Sequence, residues 1–337
     1  IVSALGMAVA LVWLLASVTR PAQASAPADA AAAINAPALF VDGSGGDDAQ
    51  SCRDRVRPCA TIQRAIDVAA PDDTIAVAQG TYDTLNTAGG RSQVVFVDKA
   101  VTLEGGYDSS FFSANPGSPS IIDPAGGGRA IVITGTVAVT VRGFQLVNGD
   151  ASAAGLDGNG GCLLVGGSGE TTIEQITIEN CSAARGGGLY IQGGTLNSSV
   201  LTLQNNTATV NGGGLYLQGG TLNGNGLSVQ NNSATANGGG VYVAGGAANI
   251  SGGAIDNNRA ALGGGVYSEA GAFGLTGSTA RNNSATDRGG ALFVAGGTVI
   301  VGGGQVSGNS APNGGGGGYA IGGGLHLAAG TVLENNS

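Results

Sequence analysis

Histidine, lysine, tryptophan and methionine each occur once in this chain of 337 residues, and charged residues make up only 10% of it. A single histidine, His326, and the absence of any Cys-x-x-Cys pair leave no ligand set for a structural metal. With Lys99 as the only lysine and a formal net charge of -9, the chain has no basic surface to attract nucleic acid or anionic lipid. Nucleic acid is therefore excluded as a partner, and no cofactor is expected. After residue 160 no window carries helical apolar spacing, which excludes helical solenoids. The 65 glycines do not fall at every third position, which excludes a collagen-like chain.

What is present is a repeat. Glycine runs begin at Gly160, Gly186, Gly212, Gly238, Gly263 and Gly289, at intervals of 26, 26, 26, 25 and 26 residues. Asn180, Asn206, Asn232, Asn258, Asn283, Asn309 and Asn336 keep the same time, at 26, 26, 26, 25, 26 and 27 residues. A fixed period of this size marks one supersecondary unit per copy, too small to bury its own apolar face and stacked on its neighbours. Each copy holds short β-prone steps, such as Leu215 to Leu217 and Leu227 to Val229, between Gly, Asn and Ser. The expected fold is all-β: a right-handed parallel β-helix in which each circuit adds one strand to each of several long sheets.

In that geometry the glycines turn the chain sharply, and the marker asparagines form a ladder of amides at a turn. Leu189 and Ile191, Leu215 and Leu217, Val241 and Val243, and Leu292 and Val294 supply the inner stripe. The residue between each such pair points to the opposite face. Leu164, Tyr190, Tyr216, Tyr242, Tyr267, Phe293 and His326 then form an outer column, which reads either as a stacking ladder or as an exposed platform for sugar rings or a protein. Near the last copy two segments compete for this slot, Gly318-Tyr319 and Gly324-Leu325-His326.

The parts before the repeat read differently. Residues 1–24 have the apolar run and the Ala22-Gln23-Ala24 site of a signal peptide, and 25–37 is an Ala-rich spacer. Residues 38–90 form an N-terminal cap and first coil, with Thr61 to Ala70 as a capping helix on Ile62, Ala65, Ile66 and Ala69. Residues 91–159 are irregular coils, and 160–337 are the regular repeats, stopping in mid-repeat as if truncated. The four cysteines agree with an oxidising compartment. Cys52 and Cys59 flank a short loop suited to a disulfide. Cys162 aligns with Gly188 and Cys181 with Thr207, an offset that leaves open a bridge or two buried thiols.

Phe40-Val41-Asp42, the loop from Cys52 to Cys59, the stretch from Cys59 to Asp67 and that from Asp73 to Tyr82 together resemble the opening of exported bacterial right-handed β-helix proteins of the pectin-lyase-like superfamily. The later copies are similar to polymorphic outer-membrane protein repeats, which join a Gly-Gly-small-aliphatic tetrapeptide to Phe-x-x-Asn. Gly212-Gly213-Gly214-Leu215 and Gly289-Gly290-Ala291-Leu292 match the first element. At the Phe position stand Thr177, Leu203, Val229, Ile255, Ala280, Val306 and Leu333, and the flanking Ile176 and Ile178 suggest a one-residue slip in the first copy.

The resemblance implies a surface-displayed or secreted rod that binds a cell-surface protein or polysaccharide, and that meets a membrane only through an anchoring domain outside this chain. One alternative is a noncatalytic carbohydrate-binding solenoid; the other is a polysaccharide lyase or glycoside hydrolase with its site in the cap or in a C-terminal part beyond this sequence. Its chemistry needs carboxylates converging from adjacent coils, whereas Glu170, Glu174 and Glu179 belong to one coil. Asp47-Asp48 and Asp72-Asp73 stand beside Gly or Pro, where turn roles prevail.

Overall fold

The computed structural model describes residues 37–115, 117–152 and 157–337. The expected signal peptide and all but the last residue of the spacer lie outside the described residues. From Leu39 onward the chain winds into a right-handed parallel β-helix, the hand that parallel crossovers take.

One regular circuit explains the rest. Gly212 (φ 68°) turns the chain into Leu215–Leu217, Gly220 (φ 79°) into Thr221–Asn225, Gly226 (φ 66°) into Ser228–Gln230, and Asn231 (φ 55°) into Ser233–Ala234. At Gly212 a Cβ would lie 2.4 Å from the Leu215 carbonyl oxygen, so only glycine makes that corner without displacing the next strand. Equivalent strands of successive circuits pair in register, Leu215 with Leu189 and Val241, Thr221 with Thr195 and Ala247, Ser233 with Thr207 and Arg259. Among the described residues they build a 19-stranded sheet bent at the Gly226-type corners, a 10-stranded sheet and a 5-stranded sheet.

The inward side chains form one continuous core. Leu215, Leu217, Leu222, Leu227 and Val229 are each fully buried within a single circuit. At roughly 1.5–3 kcal/mol for each fully buried aliphatic side chain, the burial is shared evenly along the solenoid. Volume is traded between neighbours: Ala248 pairs with Phe273, a small residue beneath a large one, and both are buried.

The first coils are built otherwise. The helix spans Ile62–Val68 and lays Ile62, Ala65 and Ile66 on the core. It begins one residue later and ends two earlier than the sequence pattern suggests, because Thr61 is the cap and Ala69 has already left helical geometry before Pro71. The Asp48 carboxylate accepts hydrogen bonds from the Ala60 and Thr61 amides at 2.8 and 2.9 Å and from the Thr61 hydroxyl at 2.7 Å. Cys52 and Cys59 are bridged across the preceding loop. After Tyr107 a loop folds back over the outside of the largest sheet, burying Phe111 against Phe40, Ala76, Ala78 and Tyr107.

Candidate functional site: columns of side chains on the solenoid

Asn206, Asn232, Asn258, Asn283, Asn309 and Asn336 form an interior column. Each Oδ1 from Asn232 onward accepts both the backbone N–H and the Nδ2 of the asparagine one coil before it; between Asn232 and Asn258 these distances are 2.9 and 3.0 Å. The second Nδ2 hydrogen goes to a strand carbonyl, as from Asn258 to Val229 at 2.9 Å. Buried amides are thus satisfied by copies of themselves.

Asn180 is not in this column. With φ 57° it stands with the corner residues Asn205, Asn231, Asn257 and Asn282. Entering left-handed space and building the ladder belong to two consecutive residues, as at Asn205 and Asn206. The ladder position of the first coil is Cys181, whose N–H donates to Asn206 Oδ1 at 3.0 Å. Ser182, and not Cys181, pairs with Thr207. In the same corrected register Ile178 pairs with Leu203, which places an aliphatic residue where Thr177 had been aligned.

This offset brings the second cysteine pair together. Cys162 and Cys181 are bridged, with Cα atoms 5.6 Å apart. In the next coil the same two places are Gly188 and Asn206, where a Cβ on Gly188 would lie 2.9 Å from Asn206 Nδ2. Gly214 faces Asn232 and Gly240 faces Asn258 likewise. The disulfide therefore occupies the position of one glycine–asparagine rung.

On the outer face of the 10-stranded sheet, Tyr190, Tyr216, Tyr242, Tyr267, Phe293 and Tyr319 are stacked in sequence, with ring centroids 4.8–5.6 Å apart. The last place belongs to Tyr319, which pairs with Phe293; His326 lies on the largest sheet opposite Ile300. The glycines from 314 to 318 do not displace the slot as far as His326. Nor is the column an exposed strip. Tyr190, Tyr216 and Tyr242 are only 5–6% exposed because each ring face is covered by the next ring, so none is free to stack on a sugar. The Tyr190 hydroxyl donates to Gln218 at 3.1 Å and that of Tyr242 to Glu269 at 2.7 Å. Burial, reinforced by Glu269, holds the Tyr242 phenol well above the usual tyrosine range.

Of the acidic groups weighed for catalysis, Asp47, Asp48, Asp73, Glu170 and Glu179 have structural partners. Asp73 pairs with Arg53 at 3.0 Å, and Asp47 accepts the Ala49 amide at 2.9 Å. Glu104 binds Arg142 at 3.0 Å and accepts the Tyr107 hydroxyl at 2.9 Å, and burial together with Glu104 pushes that phenol up to about 12. Among the described residues no group of three or more His, Cys, Asp or Glu side chains is placed to hold a metal ion.

The remaining columns lie on the outer face of the largest sheet and were not singled out from the sequence. Asn197, Asn223, Asn249, Gly274 and Ile300 stand in one register, and Ser199, Asn225, Ser251, Thr276 and Gly302 in the next. Their 25- to 26-residue spacing was a readable signal, overshadowed by the glycines. Asn223 Nδ2 donates to Asn197 Oδ1 at 2.9 Å and Asn249 Nδ2 to Asn223 Oδ1 at 3.3 Å. Asn223, Asn225, Asn249, Ser251, Gly274 and Thr276 line a shallow hollow of about 290 Å³.

The family described as right-handed beta helix region matches residues 129–337. No curated protein and no solved structure matches the chain. The matched segment contains the paired strands, the asparagine column and the aromatic stack, and the chain belongs to the right-handed beta helix family.

Proposed function

We propose that this chain is an exported rod, secreted or held at the cell envelope, that acts as an adhesin-like or structural element and recognises its partner through the outer face of the largest sheet. The observation that carries this reading is the composition of one limb of that face, before the Gly226-type corner beyond which Asp256 and Arg281 stand. From Asn197 to Gly302 the two outward columns place no ionisable side chain over five successive strands, although the chain as a whole has a net charge of -9. A solubilising surface normally intersperses both signs of charge. A flat, neutral, hydrogen-bonding surface repeated about every 4.8 Å suits contact with an extended or repetitive partner.

Export is supported by the signal-peptide pattern of residues 1–24 and by the two disulfides, which persist in oxidising compartments. The resemblance to pectin-lyase-like and polymorphic outer-membrane repeat proteins points the same way. The test is surface proteolysis and thiol labelling of intact producing cells. The reading expects the full chain to be removed by external protease, with all four cysteines unreactive until reduced; a protease-protected chain with free thiols would end it.

A further inference from the structure

The outer asparagine chain has a direction and an end. Glu170 accepts from Asn197 Nδ2 at 2.6 Å, Asn197 from Asn223, and Asn223 from Asn249. Asn249 Oδ1 is the terminal acceptor, and the next place in its column is Gly274, where a Cβ would lie 3.5 Å from that oxygen and meet nothing closer. The missing side chain opens the hollow, and Asn225, Ser251 and Thr276 form its other wall. These walls offer amide N–H donors, amide oxygens and hydroxyls, with no charge.

We propose that the hollow over Gly274 is a binding site for an uncharged polysaccharide, with Asn249 and Asn223 on one side of a sugar ring and Asn225, Ser251 and Thr276 on the other. The proposal rests on the reading of this face as the recognition surface and assigns it a ligand class. A hydroxyl-rich, neutral ligand matches the inventory of the walls. An anionic polymer would need arginine or lysine, which neither column contains. A protein partner would need buried aromatic or arginine anchors, which these columns also lack. The coil rise of about 4.8 Å is close to the advance of one pyranose unit in an extended chain, so a polymer lying along the rod keeps step with the coils on either side of the hollow.

The experiment is affinity electrophoresis of the full chain in gels containing xyloglucan, galactomannan or dextran, with polygalacturonate as the charged control. At least one neutral polymer is expected to retard the chain and polygalacturonate to leave it unretarded. Gly274→Phe fills the hollow on backbone that has room for a Cβ, and should abolish retardation while the melting transition stays in place. Asn249→Ala should weaken it roughly five- to tenfold by removing the terminal amide. Retardation by polygalacturonate alone, equal retardation of Gly274→Phe, or no retardation in any neutral gel would overturn the proposal. Since surface exposure on intact cells is measured separately, an exposed chain that ignores all three polymers refutes this ligand and leaves the display reading standing.

Discussion

The coils before residue 150 and those after residue 160 solve the same problem, burying polar groups inside a narrow solenoid, by different means. In the later coils a buried amide meets its own copy one turn away, as Asn232 meets Asn258. In the earlier coils buried polar groups are partnered one by one, and Gln93 Oε1 and Arg129 Nη1 are left without a hydrogen bond. Arg129, whose side chain is fully buried, is held by Asp157 and by the Asn159 and Gly160 carbonyls; Ser120 bridges the Gly106 amide and the Ala78 carbonyl; Glu104 is shared by Arg142 and Tyr107. Repetition satisfies polar atoms cheaply because a single residue choice serves as donor in one coil and acceptor in the next. The Cys162–Cys181 bridge sits where one regime gives way to the other.

The sharpest way to break this comparison is to remove one ladder residue. Asn258→Ala takes away the acceptor of two Asn232 hydrogen bonds and the donor to Val229 and Asn283, leaving several buried groups unpaired. Urea unfolding should show a loss of about 4 kcal/mol. Tyr216→Ala, in the middle of the aromatic stack, should cost about 3 kcal/mol by opening a cavity between Tyr190 and Tyr242, while leaving polysaccharide retardation unchanged.

Replacing the disulfide sharpens the comparison. The loop it closes has a sequence separation of 19, so Cys162→Ala with Cys181→Ala should cost about 3 kcal/mol. Cys162→Gly with Cys181→Asn should recover a large part of that loss, because the new amide meets the Leu146 carbonyl that now faces Cys181 Sγ. Thermal melts of the two double variants side by side decide whether bridge and rung are equivalent. Val200→Gly has the opposite sign. Val200 is a β-branched residue at φ 55°, 59% exposed, at the corner that later coils fill with Gly226 and Gly252. Relief of that strain should raise stability by about 1 kcal/mol.

The smallest effect concerns pH, and in it the early coils share with Tyr242 of the later ones a phenol raised by burial and a carboxylate. The Tyr107 phenol is raised from its ordinary 10.0 to about 12, so its contribution is complete below pH 10 and is lost as pH climbs toward 12. Tyr107→Phe should flatten that alkaline decline in a series of melts.

The period, the parallel stacking and the inward aliphatics were legible in the sequence because Gly and Asn recur wherever a corner or a ladder demands them. The register of the first coil was not. Later coils carry two adjacent asparagines, such as Asn205-Asn206 and Asn231-Asn232, one for the corner and one for the ladder, whereas the first has a single Asn180 followed by cysteine. Alternation placed Tyr216 on the outer face correctly, but its burial depends on rings closing on each other about 5 Å apart, which no single-strand pattern encodes. The neutral hollow depends on what is missing at Gly274, and an absence becomes visible only when the coils are set side by side.

The account holds that one circuit is an interchangeable unit whose side chains stack in register. Deleting residues 207–232 removes one complete circuit of 26 residues and joins Asn206 to Ser233, which leaves every column continuous. The account predicts that this shortened chain still unfolds cooperatively, with a smaller denaturant slope in keeping with its reduced buried surface, whereas deleting only 207–219 destroys the folded state. If the full-circuit deletion proves as disruptive as the half-circuit one, the in-register solenoid is wrong.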